Sequence, residues 1–171
     1  MIKRPDKNDY PSFYETYIRL IQNEDVLLLL ENQEMAFHAF VKDISPEKGD
    51  YRYAEGKWSL KEVVGHIVEV ERIMAYRALA ISRGDEQSLP GMDENQYIAR
   101  SNYSQRDFNS LAEEFSLVRK GNIIMIRSFS EEMLNRVGIA NGGRISVRAL
   151  VYIIAGHLDH HVQVIRDRYL Q

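Results

Sequence analysis

Apolar residues recur every three or four positions through four long stretches of the chain, and none of the four prolines interrupts them. Pro5 and Pro11 precede the first stretch; Pro46 and Pro90 fall between stretches. An interior proline breaks a helix, so this placement predicts long, uninterrupted helices. Leu27, Leu30, Phe37, Val41 and Ile44 place the first from about Asp25 to Asp43. A shorter helix is expected before it, from Ser12 to about Ile21, because a proline ahead of a serine suits a helix start.

The second long helix has the clearest entry signal. Ser59-Leu60-Lys61-Glu62 matches a capping box, with Trp58 and Val63 at the positions of a hydrophobic staple. Val63, Ile67, Val70, Met74 and Ile81 continue the stripe to Gly84, a C-terminal stop. Residues 86–103 read as a long connection with a short helix around Asp93 to Ala99. Ser104 and Asp107 open the third long helix, whose buried face is marked by Phe108, Leu111, Phe115, Val118, Met125 and Phe129. Asn141-Gly142-Gly143 is a turn, and Ser146 caps a fourth helix running nearly to the C-terminus. No alternation of period two stands out, so no sheet is expected. The fold class predicted is all-α: a four-helix bundle in a single domain, residues 1–171. The long 84–103 connection has the length to cross the bundle, which would depart from a simple up-down-up-down order.

With 171 residues, 44% of them apolar, the chain can bury a substantial core. A net charge of −3 without a basic stripe gives no case for nucleic acid or an acidic membrane. The longest purely aliphatic run, Val26 to Leu30, is far too short to span a bilayer, and the basic N-terminus lacks the apolar segment of a signal peptide. A cytoplasmic location is the resulting expectation. The absence of cysteine excludes disulfides, thiolate zinc sites and a cysteine nucleophile.

Chemistry concentrates in the histidines. Three of five fall within Gly156-His157-Leu158-Asp159-His160-His161. On a helix, His157 and His161 share a face, in register with Leu150, Ile154 and Val164, so both point inward. Two imidazoles in an apolar interior need partners. Neutral imidazole is a good ligand for divalent transition metals, and His66 on the second helix is placed to supply a third. Three protein ligands leave a position open for water or substrate, as in catalytic sites. His160 competes with His161 and is otherwise a residue of the pocket wall beside the ligands. His38 is isolated and reads as a surface or edge histidine. Glu69, three residues after His66, is a second-tier candidate: an orienting group, a fourth ligand, a general base or a solvated glutamate. Glu71 is expected to be solvated, and Asp159 to point away from the histidine face. Tyr51, Tyr53 and Trp58 are candidates for a pocket mouth or for core packing. Glycines 138, 142 and 143 lack the strand-to-helix setting of a phosphate loop.

Two segments carry a family resemblance. Lys57-Trp58-Ser59-Leu60-Lys61-Glu62-Val63-Val64-Gly65-His66-Ile67 resembles the second-helix signature of the DinB-like (YfiT-like) proteins. Gly156-His157-Leu158-Asp159-His160-His161-Val162-Gln163-Val164-Ile165 resembles their fourth-helix signature. Gly84-Asp85 and Leu89-Pro90 between them also fit. The resemblance implies an up-down-down-up bundle, a three-histidine metal site at His66, His157 and His161, and a homodimer. It further implies a metal-dependent hydrolase acting on a small molecule, or a transferase or isomerase that uses an external low-molecular-weight thiol such as bacillithiol or mycothiol. A non-catalytic metal-binding or dimerisation module is the third alternative. Histidine ligation suits zinc and nickel about equally.

Overall fold

The structure, a computed structural model, describes residues 1–22 and 25–171. It has seven α-helices among those residues: α1 (Glu15–Ile18), α2 (Val26–Lys42), α3 (Leu60–Ser82), α4 (Glu94–Ala99), α5 (Phe108–Arg127), α6 (Glu131–Asn135) and α7 (Val147–Arg168). The long helices α2, α3, α5 and α7 form a bundle. Their caps follow the sequence: Asp25, Ser59, Asp107 and Ser146 each accept a hydrogen bond from the first turn of the helix they precede. The Ser59–Glu62 capping box forms reciprocally. Gly84, at φ +83°, ends α3: Asp85 N–H donates to the Ala80 carbonyl and Gly84 N–H to that of Ile81, a Schellman arrangement.

The contacts fix the helix directions. Along α2, Glu31, Glu34 and Phe37 meet Arg127, Ser116 and Phe115 of α5, so these two helices are antiparallel. The start of α3 lies near the end of α7, where the Tyr169 hydroxyl donates to the Trp58 carbonyl, so α3 and α7 are antiparallel too. Gln33 and Phe40 of α2 meet Ala155 and Arg166 of α7 in parallel order. The order is therefore up-down-down-up, with α3 and α5 running the same way. That direction forces the 83–107 connection back along the bundle, and α4 rides on this return.

Three expectations are corrected. The chain does contain a sheet, an antiparallel pair of β1 (Val137–Ala140) and β2 (Gly143–Ser146) closed by Asn141-Gly142, both at positive φ as a type I′ turn requires. Each strand is only four residues long, too short for period-two alternation to register. The hairpin also grips the return segment, since Leu89 N–H donates to the Ile139 carbonyl and Asn141 N–H to that of Leu89. The expected helix from Ser12 to Ile21 is a 3₁₀ turn over Ser12–Tyr14 followed by the four residues of α1. It stops early because the Arg4 guanidinium binds the carbonyls of Ile18 and Ile21, satisfying the helix end while Ile18 and Ile21 bury against the bundle. Third, Glu71 is buried, not solvated.

Glu71 belongs to a polar layer that divides the core. One apolar cluster holds Leu30, Met74, Ile123 and Ile154; the other holds Phe37, Ile67, Phe115 and Leu158. Between them the Arg119 guanidinium donates to both Glu71 oxygens at 2.8 Å and to Gln33 Oε1 at 3.0 Å. Gln33 Nε2 in turn donates to the Ala155 carbonyl (3.0 Å) and Asp159 Oδ1 (2.7 Å). One hydrogen-bonded chain thus joins α3, α5, α2 and α7 at mid-height, and it ends on the two residues that bracket His157. Asp159 points toward α2, away from the histidine face as expected.

Candidate metal centre

His66 lies on the inner face of α3 in its second turn, and His157 and His161 lie one turn apart on α7, which runs antiparallel beside it. Each of the two helices carries a glycine just before its first histidine. A Cβ on Gly65 would stand 2.5 Å from the Tyr103 ring, and one on Gly156 would collide with the Tyr17 backbone. Both glycines therefore let a neighbouring segment approach closely, and the second brings Tyr17 onto the site. The Tyr17 ring stands edge-on to His157 at 5.2 Å and to His160 at 5.5 Å between centroids. On the other flank Trp58 packs on His66 at 4.8 Å. The staple residue of α3 is thus also a wall of the site.

The three imidazoles converge. His66 Nε2 and His157 Nε2 are 3.2 Å apart, and one nitrogen from each of the three rings falls within 4.8 Å of the others. His66 and His157 are buried, and His161 is half-buried. Burial holds the His66 pKa down at about 4 and, with the neighbouring histidines, that of His161 at about 3. Burial and then the adjacent imidazoles push His157 well below the ordinary value. All three rings are consequently neutral near pH 7, with lone pairs to offer.

A divalent metal fits these residues. Two nitrogens bound to a tetrahedral zinc at 2.0–2.1 Å lie about 3.4 Å apart, close to the His66–His157 separation. A single N–H···N bond between those two rings would leave out the third, His161, whose Nδ1 is buried with no hydrogen-bond partner among the described residues. Purely polar packing seldom strands a buried ring nitrogen.

Two clefts meet at the histidines. The larger, about 650 Å³, runs beside α3 and is lined by His157, Tyr17, Val70, Ile73, Met74 and Arg77 among others. The smaller, about 340 Å³, has His160, His161, Trp58, Tyr53 and Tyr169 in its walls. Asn95 of α4 borders both. His160 is therefore a cleft residue beside His161, with its own pKa lowered by burial and by Arg19. Glu69 stands elsewhere. Its partners are Tyr103, Arg72 and Glu114, on the side toward α5, and one of its oxygens is buried without a hydrogen bond. Burial raises its pKa despite Tyr103 and Arg72. His38 is half-buried on α2, in a groove with Glu34 and Lys120 away from the other four. Tyr51 stands edge-on to Tyr169, whereas Tyr53 and Trp58 do line a cleft mouth.

Sequence reasoning missed Tyr17, Arg77 and Asn95. Tyr17 sits in a helix of four residues and Asn95 in one of six, where no periodicity can mark a face. Arg77 shares the His66 face of α3, eleven residues on, and that spacing was the one available signal.

The comparisons with known proteins agree with this architecture. The fold is similar to that of YfiT from Bacillus subtilis, described as a "probable metal-dependent hydrolase with an unusual four-helix bundle topology" (TM-score 0.73, 14% identity, 96% of this chain and 90% of that one). It is similar to the mycothiol-dependent maleylpyruvate isomerase (TM-score 0.67, 13% identity, 85% of this chain), of which the chain spans 61%. It is similar as well to YjoA, a DinB-like protein of Bacillus subtilis (TM-score 0.60, 21% identity, 84% of this chain and 88% of that one). At these identities the likeness is one of fold. No curated protein matches the chain. No helix among the described residues is long and apolar enough to cross a membrane. The family model described as the DinB superfamily matches residues 29–165, which takes in α3, α5, most of α2 and α7 and all three converging histidines, and the chain belongs to the DinB superfamily.

Proposed function

We propose that this protein is a metal-dependent enzyme acting on a small molecule, with His66, His157 and His161 holding one divalent transition-metal ion, zinc or nickel, and with hydrolysis as its reaction. The observation that carries this reading is the convergence of three neutral imidazoles where two clefts meet. An ion there supplies Lewis acidity, which brings the ionisation of water toward neutral pH. The chain's own residues do the rest. Tyr17 and Trp58 fix the ring planes of His157 and His66 and shield them from bulk water. His160, at the edge of the smaller cleft, stands where a proton can be exchanged with solvent. Glu69 acts through Tyr103 and α5 to position the α3 segment that bears His66.

The fold shared with a mycothiol-dependent isomerase favours a second reading, in which the ion deprotonates the thiol of a cosubstrate such as bacillithiol or mycothiol. That thiol must come from outside, because the chain has no cysteine. A homodimer is part of the proposal. Leu28 and Met35 on α2, and Leu117 and Ile124 on α5, are exposed at seven-residue spacing on adjacent antiparallel helices, a face suited to a second copy.

The test is metal content by plasma mass spectrometry on wild type and His157→Ala, prepared alike without added metal or a metal-binding tag. About one equivalent of zinc or nickel in wild type, lost in the variant, supports the centre. No metal in either, with failed reconstitution, removes the enzyme reading. Turnover assayed with and without added thiol then separates the two chemistries, since absolute thiol dependence excludes the hydrolase. Sedimentation velocity on wild type and Leu117→Glu checks the dimer.

A further inference from the structure

The larger cleft has a cation at the end away from the histidines. Arg77 lies on the same face of α3 as His66 and three turns further on, about 16 Å along the axis. Val70, Ile73 and Met74 form the apolar wall between them. Arg77 is only 3% exposed, yet among the described residues no carboxylate lies within ion-pair distance of it. Its partners are neutral: the Pro90 carbonyl accepts from Nη2 at 2.7 Å, the Met74 sulfur faces Nη1 at 3.6 Å, and the Tyr14 hydroxyl is within hydrogen-bonding reach. The other two buried arginines have carboxylate partners, Arg119 both oxygens of Glu71 and Arg148 the Glu131 carboxylate. A guanidinium buried without a counter-charge is costly unless something else supplies one.

The acidic groups of this cleft do not fill that role. Asp93 Oδ1 and Oδ2 are occupied in capping α4, accepting from the Gln96 backbone and side chain at 3.0 and 2.9 Å. Glu94 is exposed on α4 and acts on Tyr14 and Tyr17 across the opening.

We infer that Arg77 is the anchor for the anionic group of the substrate, an apolar-bodied molecule whose carboxylate or phosphate binds Arg77 while its reactive end lies at His157. The planar fork of arginine pairs two-fold with either anion, and one end-point charge fixes the direction in which a substrate enters. This inference rests on the proposed function for the identity of the reactive end, but not for the anion site itself.

The test uses metal-free protein, so that no anion is bound by a metal. Titration calorimetry is run with 4-phenylbutyrate, 3-phenylpropyl phosphate and 4-phenylbutyramide on wild type, Arg77→Met, Arg77→Lys and Glu94→Gln. The expected result is anion binding weakened about tenfold or more in Arg77→Met and less in Arg77→Lys, with the amide unaffected. Glu94→Gln should tighten anion binding. The anion that loses more in Arg77→Met names the headgroup. Equal losses for amide and anions would overturn the inference, leaving Arg77 as a cleft wall and a bolt for the Pro90 segment. So would the failure of wild type to bind either anion at millimolar concentration. If Arg77→Met does not fold, the anion-selective loss in Arg77→Lys and the gain in Glu94→Gln decide the matter. A protein that binds anions through Arg77 but never takes up metal would retain this site and lose the proposed function.

Discussion

His66 Nε2 and His157 Nε2 meet at 3.2 Å across the α3–α7 interface, each ring inside the apolar interior and neither charged near pH 7. Two rings from helices that run in opposite directions are held at a separation a shared ion would set. Several properties of the protein follow from keeping them neutral and close.

The first concerns acid. Unfolded histidines titrate near 6.5, whereas burial holds His66 down at about 4 and His161 at about 3. Above pH 6.5 the rings are neutral in both states, and the stability of the buried cluster is fully present. Below 6.5 the unfolded chain takes up protons that the folded one refuses, so stability falls until the folded values are crossed. Each histidine contributes up to about 1.4 kcal/mol per pH unit in that window. Urea denaturation of metal-free protein between pH 7 and 4 should show this decline, and His66→Phe should flatten part of it. A profile level across the window would contradict the burial of neutral rings.

The Arg119–Glu71 pair should matter more to stability than any surface ion pair. Both side chains are at most 2% exposed, and the pair is bidentate. Removing one partner strands the other, so Arg119→Ala or Glu71→Ala should cost about 3–5 kcal/mol in equilibrium unfolding. The double replacement Glu71→Leu/Arg119→Met should recover most of that. The exposed Arg136–Glu132 pair, by contrast, should change stability by less than about 1 kcal/mol when broken.

Two glycine substitutions should move stability in opposite directions. Gly156→Ala places a methyl group against the Tyr17 backbone and must push α1 off α7, at about 1–3 kcal/mol. Gly121→Ala, at an open position within α5, should stabilise by about 0.5–1 kcal/mol. Thermal unfolding checks both. A neutral Gly156→Ala would mean that Tyr17 does not pack on the site.

Trp58 is the only tryptophan, and its ring stands 4.8 Å from His66. Nickel bound at the three histidines should quench its fluorescence, saturating near one equivalent, and His161→Ala should abolish the effect. Quenching that persists in that variant would place the ion elsewhere.

The sequence alone determined the four long helices, their caps and the three histidines that come together. Each of these is a local property. Helical periodicity marks a buried face, Ser59 and Glu62 mark an entry, and spacing puts His157 beside His161. The resemblance carried by the segments around His66 and His157 supplied the up-down-down-up order, which periodicity cannot give, because it is blind to helix direction. Only the tertiary structure decided what depends on residues far apart in the chain. Glu71 reads as a solvated glutamate in the sequence, but Arg119, forty-eight positions away, lies opposite it in the core. Glu69, in register with His66 along the sequence, faces Tyr103 and α5 instead. Tyr17 reaches His157 because Gly156 lets a four-residue helix approach, and Arg77 stands in the histidine cleft because a connection folded back along the bundle closes it. A polar side chain reads the same in sequence whether it meets water or a partner, and only packing between distant segments determines which it meets.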